Sequence, residues 1–255
     1  MKIVFIGSGN VATHLAIAFR AMGADILQVW SKDGKNAGIL AALTKAEPIS
    51  TWEALDLNAD YYIIAVNDRA IPMVASQLKG VKGIVLHTSG ATSIDALAGI
   101  GSGYGVLYPL QTFSRTKSLD LKQVPFCIEA DRTETFEKLS AIAHLLSPLV
   151  SEVSSEQRKV LHLAAVFACN FSNHLYHLSS QLLEQHHLKF DLLKPLILET
   201  ANKIQSSSAA EVQTGPAVRN DQHTMEKHLD LLKNTPALQD IYQLLSNSIK
   251  NTHHL

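Results

Sequence analysis

Cysteine is scarce in this chain, with only Cys127 and Cys169 among 255 residues. Two thiols without C-x-x-C spacing exclude a disulfide scaffold and a cysteine-built zinc or redox centre, and they fit a reducing, cytoplasmic setting. An excess of charge of one sign is also missing, since 22 Lys and Arg stand against 23 Asp and Glu for a formal net charge of −1. No basic field is available to hold nucleic acid or an anionic membrane through counterion release. Long apolar runs are absent as well. The first one stops at Gly7, too short for a secretory core segment, and no small-residue cleavage site follows it. Residues 160–183 carry no formal charge, yet they include His162, Asn170, Asn173, His174 and His177, which a bilayer core would penalise. A buried helix is the expected reading, with neither membrane nor nucleic acid as a partner.

What the chain does have is apolar residues, 46% of the total against 18% charged, enough to bury a large core in one big domain or two ordinary ones. Up to about residue 150 it alternates short β-rich runs with helical patterns. "KIVFI", "DILQVW", "DYYIIAV", "GIVLH", "GVLYPL" and "VPFCIEA" read as strands, rich in Val, Ile, Tyr and Phe. Between them "NVATHLAIAFRAMG", "RAIPMVASQLKG", "SIDALAGI" and "RTETFEKLSAIAHLL" carry 3.6-residue apolar spacing. This order predicts an α/β fold, a doubly wound parallel sheet with helices on both faces. Beyond Pro148 the pattern turns almost wholly helical, with runs from Ser155 to His187 and Asp191 to Ser206 and two more after Asn220. "QSSSAAEVQTGPAVRND" is the one extended loop. The expected division is a dinucleotide-binding domain over 1–153 and an all-helical substrate and dimerisation domain over 154–255.

Gly7-Ser8-Gly9-Asn10-Val11-Ala12 is a G-x-G-x-x-A string between the first strand and the first helix. In that context Gly7 makes the tight turn, Gly9 lets the backbone approach a pyrophosphate, and Ala12 permits close helix packing. The helix N-terminus offers free N–H groups and a positive dipole end to the phosphates. "GIGSGYG" has as many glycines but precedes a strand, and reads as a turn. At the end of the second strand Ser31 and Lys32 favour the 2′-phosphate of NADP(H). The alternative makes Lys32 and Lys35 a solvated loop and gives the ribose to Asp33, leaving NAD(H) possible.

A ligand crevice in such a sheet lies outside the carboxyl ends of the strands. That selects Val66 and Asn67, with Asp68 as cap of the next helix, and the turn His87-Thr88-Ser89-Gly90, for which a plain helix-capping turn is the alternative. Pro109 and Gln111 are candidates for the crevice wall. On the long helix, Lys159, His162, Val166, Asn170, Asn173 and His177 are spaced to share one narrow face. The functional reading of this uncharged seam makes His162 a general acid, with Asn170 orienting it, Lys159 assisting and Asn173 facing the substrate. An interhelical hydrogen-bond seam is the alternative. Arg219 in "TGPAVRND" is a candidate clamp for a substrate carboxylate, and Asp221 a cap for the following helix. The histidines show no metal-ligand spacing, so no metal is expected.

The fingerprint, "HTSG", "YPLQTF", "HLAAVFACNFSNHL" and "TGPAVRND" together resemble bacterial proteins that join a Rossmann-like NADP-binding domain to an uncharacterised helical C-terminal domain. Their relatives include pyrroline-5-carboxylate reductase, ketopantoate reductase and 3-hydroxyisobutyrate dehydrogenase. The resemblance implies a helical domain like that of 6-phosphogluconate dehydrogenase, a homodimer formed through the helices, and an active site between the domains. By position it assigns Gly7, Gly9 and Ala12 to the phosphate loop, His87, Ser89 and Gly90 to an H-x-S-G turn, His162 and Asn170 to the polar helix face, and Gly215, Pro216, Arg219 and Asp221 to a G-P-x-x-R-x-D loop. Two positions depart from the group. Val166 stands where better characterised relatives carry a catalytic Lys, and Asn220 where the group has Gly, a replacement that tolerates the left-handed conformation. The expected activity is NADP-dependent reduction of a small carboxylate-bearing keto or imino compound, and the alternative is a non-catalytic NADP-binding sensor or interaction protein.

Overall fold

The computed structural model describes residues 1–114, 117 and 119–254, and it divides into two compact units, Met1–Asn170 and Phe171–Leu255. Among the described residues the first unit is built on eight strands: β1 (Lys2–Ile6), β2 (Asp25–Trp30), β3 (Glu47–Ile49), β4 (Tyr61–Ile64), β5 (Ile84–His87), β6 (Gly103–Pro109), β7 (Phe126–Ala130) and β8 (Val150–Glu152). They lie in the order β3-β2-β1-β4-β5-β6-β7-β8. The chain reverses direction across the sheet between β1 and β4, which is where a doubly wound fold opens a crevice.

Among the described residues five α-helices accompany the sheet: α1 (Asn10–Ala21), α2 (Gly34–Thr44), α3 (Ile71–Gln77), α4 (Thr133–Leu146) and α5 (Ser155–Ala165). Alternate residues of β1 serve opposite faces, as the two-residue repeat of a strand requires. Ile3 and Phe5 pack with Leu15 and Phe19 of α1, Leu40 of α2 and Leu139 of α4. Val4 and Ile6 pack on the other side with Ile71 and Val74 of α3. Both faces are covered, so the central strands are apolar throughout rather than alternating.

Several expectations are corrected. The sheet is not wholly parallel, because β7 runs antiparallel to β6, with Cys127 opposite Tyr108. Among the described residues between these two strands there is no crossover α-helix of the kind that a parallel neighbour needs. "SIDALAGI" forms only a 3-10 turn at Ile94–Leu97. Its Gly99 turns left-handed at φ +75, which closes off a longer helix. The elements α2 and β3 were not anticipated, since "GKNAGILAALT" carries two glycines and β3 is an edge strand containing Pro48.

The second unit holds α6 (Ser172–Gln185), α7 (Lys194–Lys203), α8 (Gln222–Leu231) and α9 (Pro236–Thr252), with no helix or strand from Ile204 to Asp221. The long run expected from Ser155 to His187 is interrupted by a π-helical segment, Val166–Phe171. The composition-based boundary at 153/154 falls just ahead of α5, whereas the compact units divide between Asn170 and Phe171, within the π-helical segment. Among the described residues of the second unit only Ala217, Met225 and Leu232 are buried apolar side chains. No helix among the described residues is long and apolar enough to cross a membrane.

Candidate functional site

The crevice at the carboxyl ends of β1, β2, β4, β5 and β6 is a cavity of about 600 Å³. Its floor is the turn after β1. Gly7 adopts φ +115, and a Cβ there would stand 2.2 Å from the Ala65 carbonyl oxygen, so no other residue fits. Its N–H is held by the Trp30 carbonyl at 2.7 Å, which fixes the turn between β2 and β4. A Cβ on Gly9 would meet nothing within 4 Å and would only fill the cavity. Gly9 also caps α1 without a side-chain acceptor, and the first turn of α1 contains no acidic residue. The first-turn N–H groups therefore remain donors beside the positive end of the helix dipole, the arrangement that receives a diphosphate.

At the β2 end the cavity is lined by Trp30, Ser31, Lys32 and Asn36. Asp33 does not line it. Its carboxylate accepts the Lys35 N–H at 3.0 Å and the Asn36 side-chain amide at 2.6 Å, and so caps α2. With that acid committed to a helix cap, Ser31 and Lys32 remain at this end of the cavity, a donor set suited to an anionic group such as a phosphate rather than to a diol. After β4, Val66, Asn67 and Asp68 line the cavity. The cap of the following 3-10 turn is Asn67, which accepts the Arg69 N–H at 3.1 Å, and not Asp68 as the sequence suggested.

The wall opposite the glycine turn carries Thr88, Ser89, Gly90, Tyr108 and His162. Tyr108 Oη and His162 Nδ1 are 3.0 Å apart. Gly90 is what makes room for the pair: a Cβ there would lie 2.7 Å from His162 Nδ1 and 2.8 Å from the Tyr108 ring. Burial pushes the Tyr108 phenol up to about 12, so it stays un-ionised across the physiological range.

Beneath this wall lies a polar cluster. His87 is fully buried, and its Nδ1 accepts the Ser89 N–H at 3.2 Å. Burial first, and the nearby Arg158 charge second, bring His87 down to about 3, so it is neutral. Ser89 Oγ in turn accepts the N–H groups of Ala91 and Thr92 at 3.1 and 3.0 Å, closing the turn that presents Gly90. Arg158, fully buried, donates to Glu129 Oε2 at 2.5 Å and to the Thr92 carbonyl at 2.6 Å.

Of the residues singled out in the sequence, Gly7, Ser8, Gly9, Asn10, Val11, Ser31, Lys32, Val66, Asn67, Ser89, Gly90 and His162 line this one cavity. Ala12 is buried beneath it, where it packs in the core. His87 does not reach the cavity and acts through the turn above it. Lys159 is exposed and paired with Glu156 at 2.7 Å, and Asn170 is exposed; neither lines the cavity. The six-residue seam presupposes 3.6 residues per turn, and the π segment, with its i→i+5 bonds, breaks that phase. Asn173 and Arg219 belong to the helical unit, where both are exposed. Pro109 and Gln111 do not line the cavity, and the strand residue that does is Tyr108. In the helical unit Asp221 caps α8 through the Thr224 N–H at 3.1 Å, and Asn220 takes the left-handed φ of 51.

Sequence reasoning missed Tyr108, Arg158 and Glu129. Tyr108 had a usable signal, since it sits near the carboxyl end of "GVLYPL", the edge where such sheets bind ligands. Arg158 had a weaker one. It lies four residues before His162 and so shares its helix face, whereas its neighbour Lys159 is turned outward.

The chain has recognisable relatives. Residues 2–90 match the family model described as NADP oxidoreductase, coenzyme F420-dependent, and residues 124–249 match a domain of unknown function, DUF2520. A Bacteroides fragilis protein of known structure, provisionally named an NADP oxidoreductase, is 42% identical, covers 100% of this chain and 98% of its own, and has a TM-score of 0.93. Two more distant structures share the fold. One is an imine reductase from Myxococcus stipitatus in complex with NADP+, 16% identical, covering 99% and 96% of the two chains with a TM-score of 0.67. The other is a pyrroline-5-carboxylate reductase from Coxiella burnetii, 18% identical, covering 99% and 97% with a TM-score of 0.56. No curated protein matches the chain. With a relative at this identity along the whole chain and the two family models matched over 2–90 and 124–249, the chain belongs to the family of NADP oxidoreductases that carry this helical C-terminal domain.

Proposed function

We propose that this protein is an NADPH-dependent reductase of a C=N or C=O bond in a small carboxylate-bearing compound, with His162 as the proton donor. The observation that carries the reading is the Tyr108–His162 pair, set in the wall of the same cavity whose floor is the open glycine turn. Gly7–Val11 would hold the diphosphate of NADPH and Ser31 and Lys32 would serve its 2′-phosphate, and the cofactor so bound would supply the hydride. The chain must then do two things: orient the unsaturated bond and deliver one proton to its nitrogen or oxygen as the carbon is reduced. His162 in its protonated form gives up the Nε2 proton, while Nδ1–H keeps its bond to the Tyr108 oxygen. Tyr108, kept neutral by burial, orients the ring through its bond to Nδ1. The products are an amine or alcohol and NADP+. The reductases among the structural relatives support this class of reaction.

The helical unit supports a homodimer. It spans Phe171–Leu255 yet buries only three apolar side chains among its described residues, while Leu192, Leu196, Leu198, Leu231 and Leu244 stand from 61% (Leu198) to 71% (Leu231) exposed. A second copy covering these side chains gives the unit the core it lacks.

The test is NADPH oxidation against paired 2-oxo acids, cyclic imino acids and their decarboxylated analogues. Turnover is expected only with the carboxylates, and His162→Ala is expected to reduce it by about 10²–10⁴-fold with NADPH affinity unchanged. Unaltered turnover in His162→Ala would remove the assigned donor. A protein that binds neither NADPH nor NADH at millimolar concentration would overturn the whole reading.

A further inference from the structure

We propose that the buried Arg158–Glu129 pair is a positioning device for the proton donor, tying the turn after β5 and the first turn of α5 to β7 so that His162 is set against Tyr108. The inference rests on the reductase reading above. Arg158 is fully buried and reaches two other segments, Glu129 on β7 at 2.5 Å and the Thr92 carbonyl at 2.6 Å, as well as Ser155 Oγ of its own helix at 3.1 Å. Glu129 receives the Ser155 N–H on Oε1 at 2.9 Å and its hydroxyl on Oε2 at 2.7 Å. Ser155 Oγ also accepts the Ile94 N–H at 2.9 Å, so the Thr92–Ile94 stretch is tied to the start of α5 at two points.

These ties bear directly on the cavity wall. Ser89 bonds Thr92 through their hydroxyls at 3.0 Å, and the next residue, Gly90, stands against the His162 ring with no room for a methyl group. Arg158 and His162 are one turn apart on α5, about 6 Å along its axis on the same face, so a shift at the first is carried to the second. Val160 and Leu163, on the other side of α5, are 68% and 57% exposed and do not hold it in place.

Stability alone does not account for the arrangement. A buried ion pair is frequently no better than apolar residues of the same volume. Here Arg158 Nε is buried without a hydrogen-bond partner among the described residues, which adds a penalty. The charge also acts on the site, since Arg158 opposes the upward push of burial on Tyr108.

The variants Arg158→Lys and Glu129→Gln test this, read by NMR of 15N-labelled histidine and by kinetics. Arg158→Lys keeps the charge but loses the planar fork that reaches both partners. Both proteins are expected to fold and to bind NADPH within about twofold of the unmodified protein, with the His162 ring resonances moved to where Tyr108→Phe puts them. With any substrate turned over, kcat is expected to fall by roughly 10–100-fold at little change in KM, and Arg158→Lys is expected to add nothing in the Tyr108→Phe background. Should Arg158→Lys fail to fold, Ser155→Ala removes the shared hydroxyl, leaves the charge pair and is read in the same way. His162 resonances that stay in place in folded, NADPH-binding variants overturn the positioning role, whatever the turnover. Moved resonances in a protein that reduces no substrate leave the positioning role standing and overturn the reductase reading instead.

Discussion

The sheet unit and the helical unit solve the problem of burying apolar surface in opposite ways. In the sheet unit both faces of β1 are covered by helices of the same chain, and Ile3, Val4, Phe5 and Ile6 are all fully buried. In the helical unit α6, α7 and α9 contain no buried residue at all, although leucines recur along each of them. A sheet with a crossover helix on each face closes its own core, and helices too few to surround one another do not. The proposed roles follow the same division: the cavity proposed for the nucleotide is lined by the sheet unit, and the helical unit is proposed as the place where two chains meet.

The largest effect that would break this contrast is on assembly. Charging the exposed face with Leu192→Glu and Leu196→Glu is expected to convert a dimer to a monomer in sedimentation velocity and to remove several kcal/mol of stability, on the order of the burial of two leucines. NADPH affinity is expected to survive, and the unmodified protein's melting temperature is expected to rise with its concentration. A monomer at all concentrations would refute the contrast.

Next in size is Gly7→Ala. With φ +115 and a Cβ 2.2 Å from a backbone oxygen, the turn cannot keep its shape, and a loss of about 3 kcal/mol or more is expected together with loss of NADPH binding by calorimetry. Oligomeric state should be unchanged if nucleotide binding and assembly reside in separate units.

A third effect lies in the pH dependence of the sheet unit. His87 titrates at 6.5 in an unfolded chain and at about 3 in the folded one, so the folded state binds fewer protons between those values. The stability it contributes is complete above pH 6.5 and is lost as pH falls toward 3, at up to about 1.4 kcal/mol per unit. Urea unfolding at pH 6.5 and 4.5 should therefore differ by about 2–3 kcal/mol more in the unmodified protein than in His87→Asn, which keeps an acceptor for the Ser89 N–H without the titration. The smallest effect expected is on nucleotide choice. Lys32→Asp should weaken NADPH by about tenfold relative to NADH in a fluorescence titration, as removal of one exposed phosphate partner allows. Equal weakening of both would place the 2′-phosphate elsewhere.

Much of the lining of the cavity after β1 was legible because its parts are close in sequence. Gly7, Gly9 and the first turn of α1 belong to one strand–turn–helix unit, and Ser31, Val66 and Ser89 each follow a recognisable strand. The far wall was not legible in the same way. Tyr108 and His162 come together across 54 positions, and Glu129 meets Arg158 across 29. Such pairings depend on which strand lies beside which, and the antiparallel step from β6 to β7 that brings Glu129 near α5 leaves no periodic mark in the sequence. Helix phase was the other hidden quantity. Arg158 and Lys159 are adjacent in the chain, yet one is fully buried and the other exposed, and the expected seam ended where the π segment changed the repeat.

By itself the sequence determined the glycine turn, the strand–helix alternation, the wholly helical C-terminal half and the absence of a charged or disulfide-bound character, because each follows from local sterics or from composition. Only the tertiary structure decided that Asp33 is a helix cap, that Tyr108 rather than Asn170 stands beside His162, and that a buried guanidinium underlies the wall. Those outcomes depend on side chains competing for partners in three dimensions, and a hydrogen-bonding group already satisfied by one neighbour is no longer available to another.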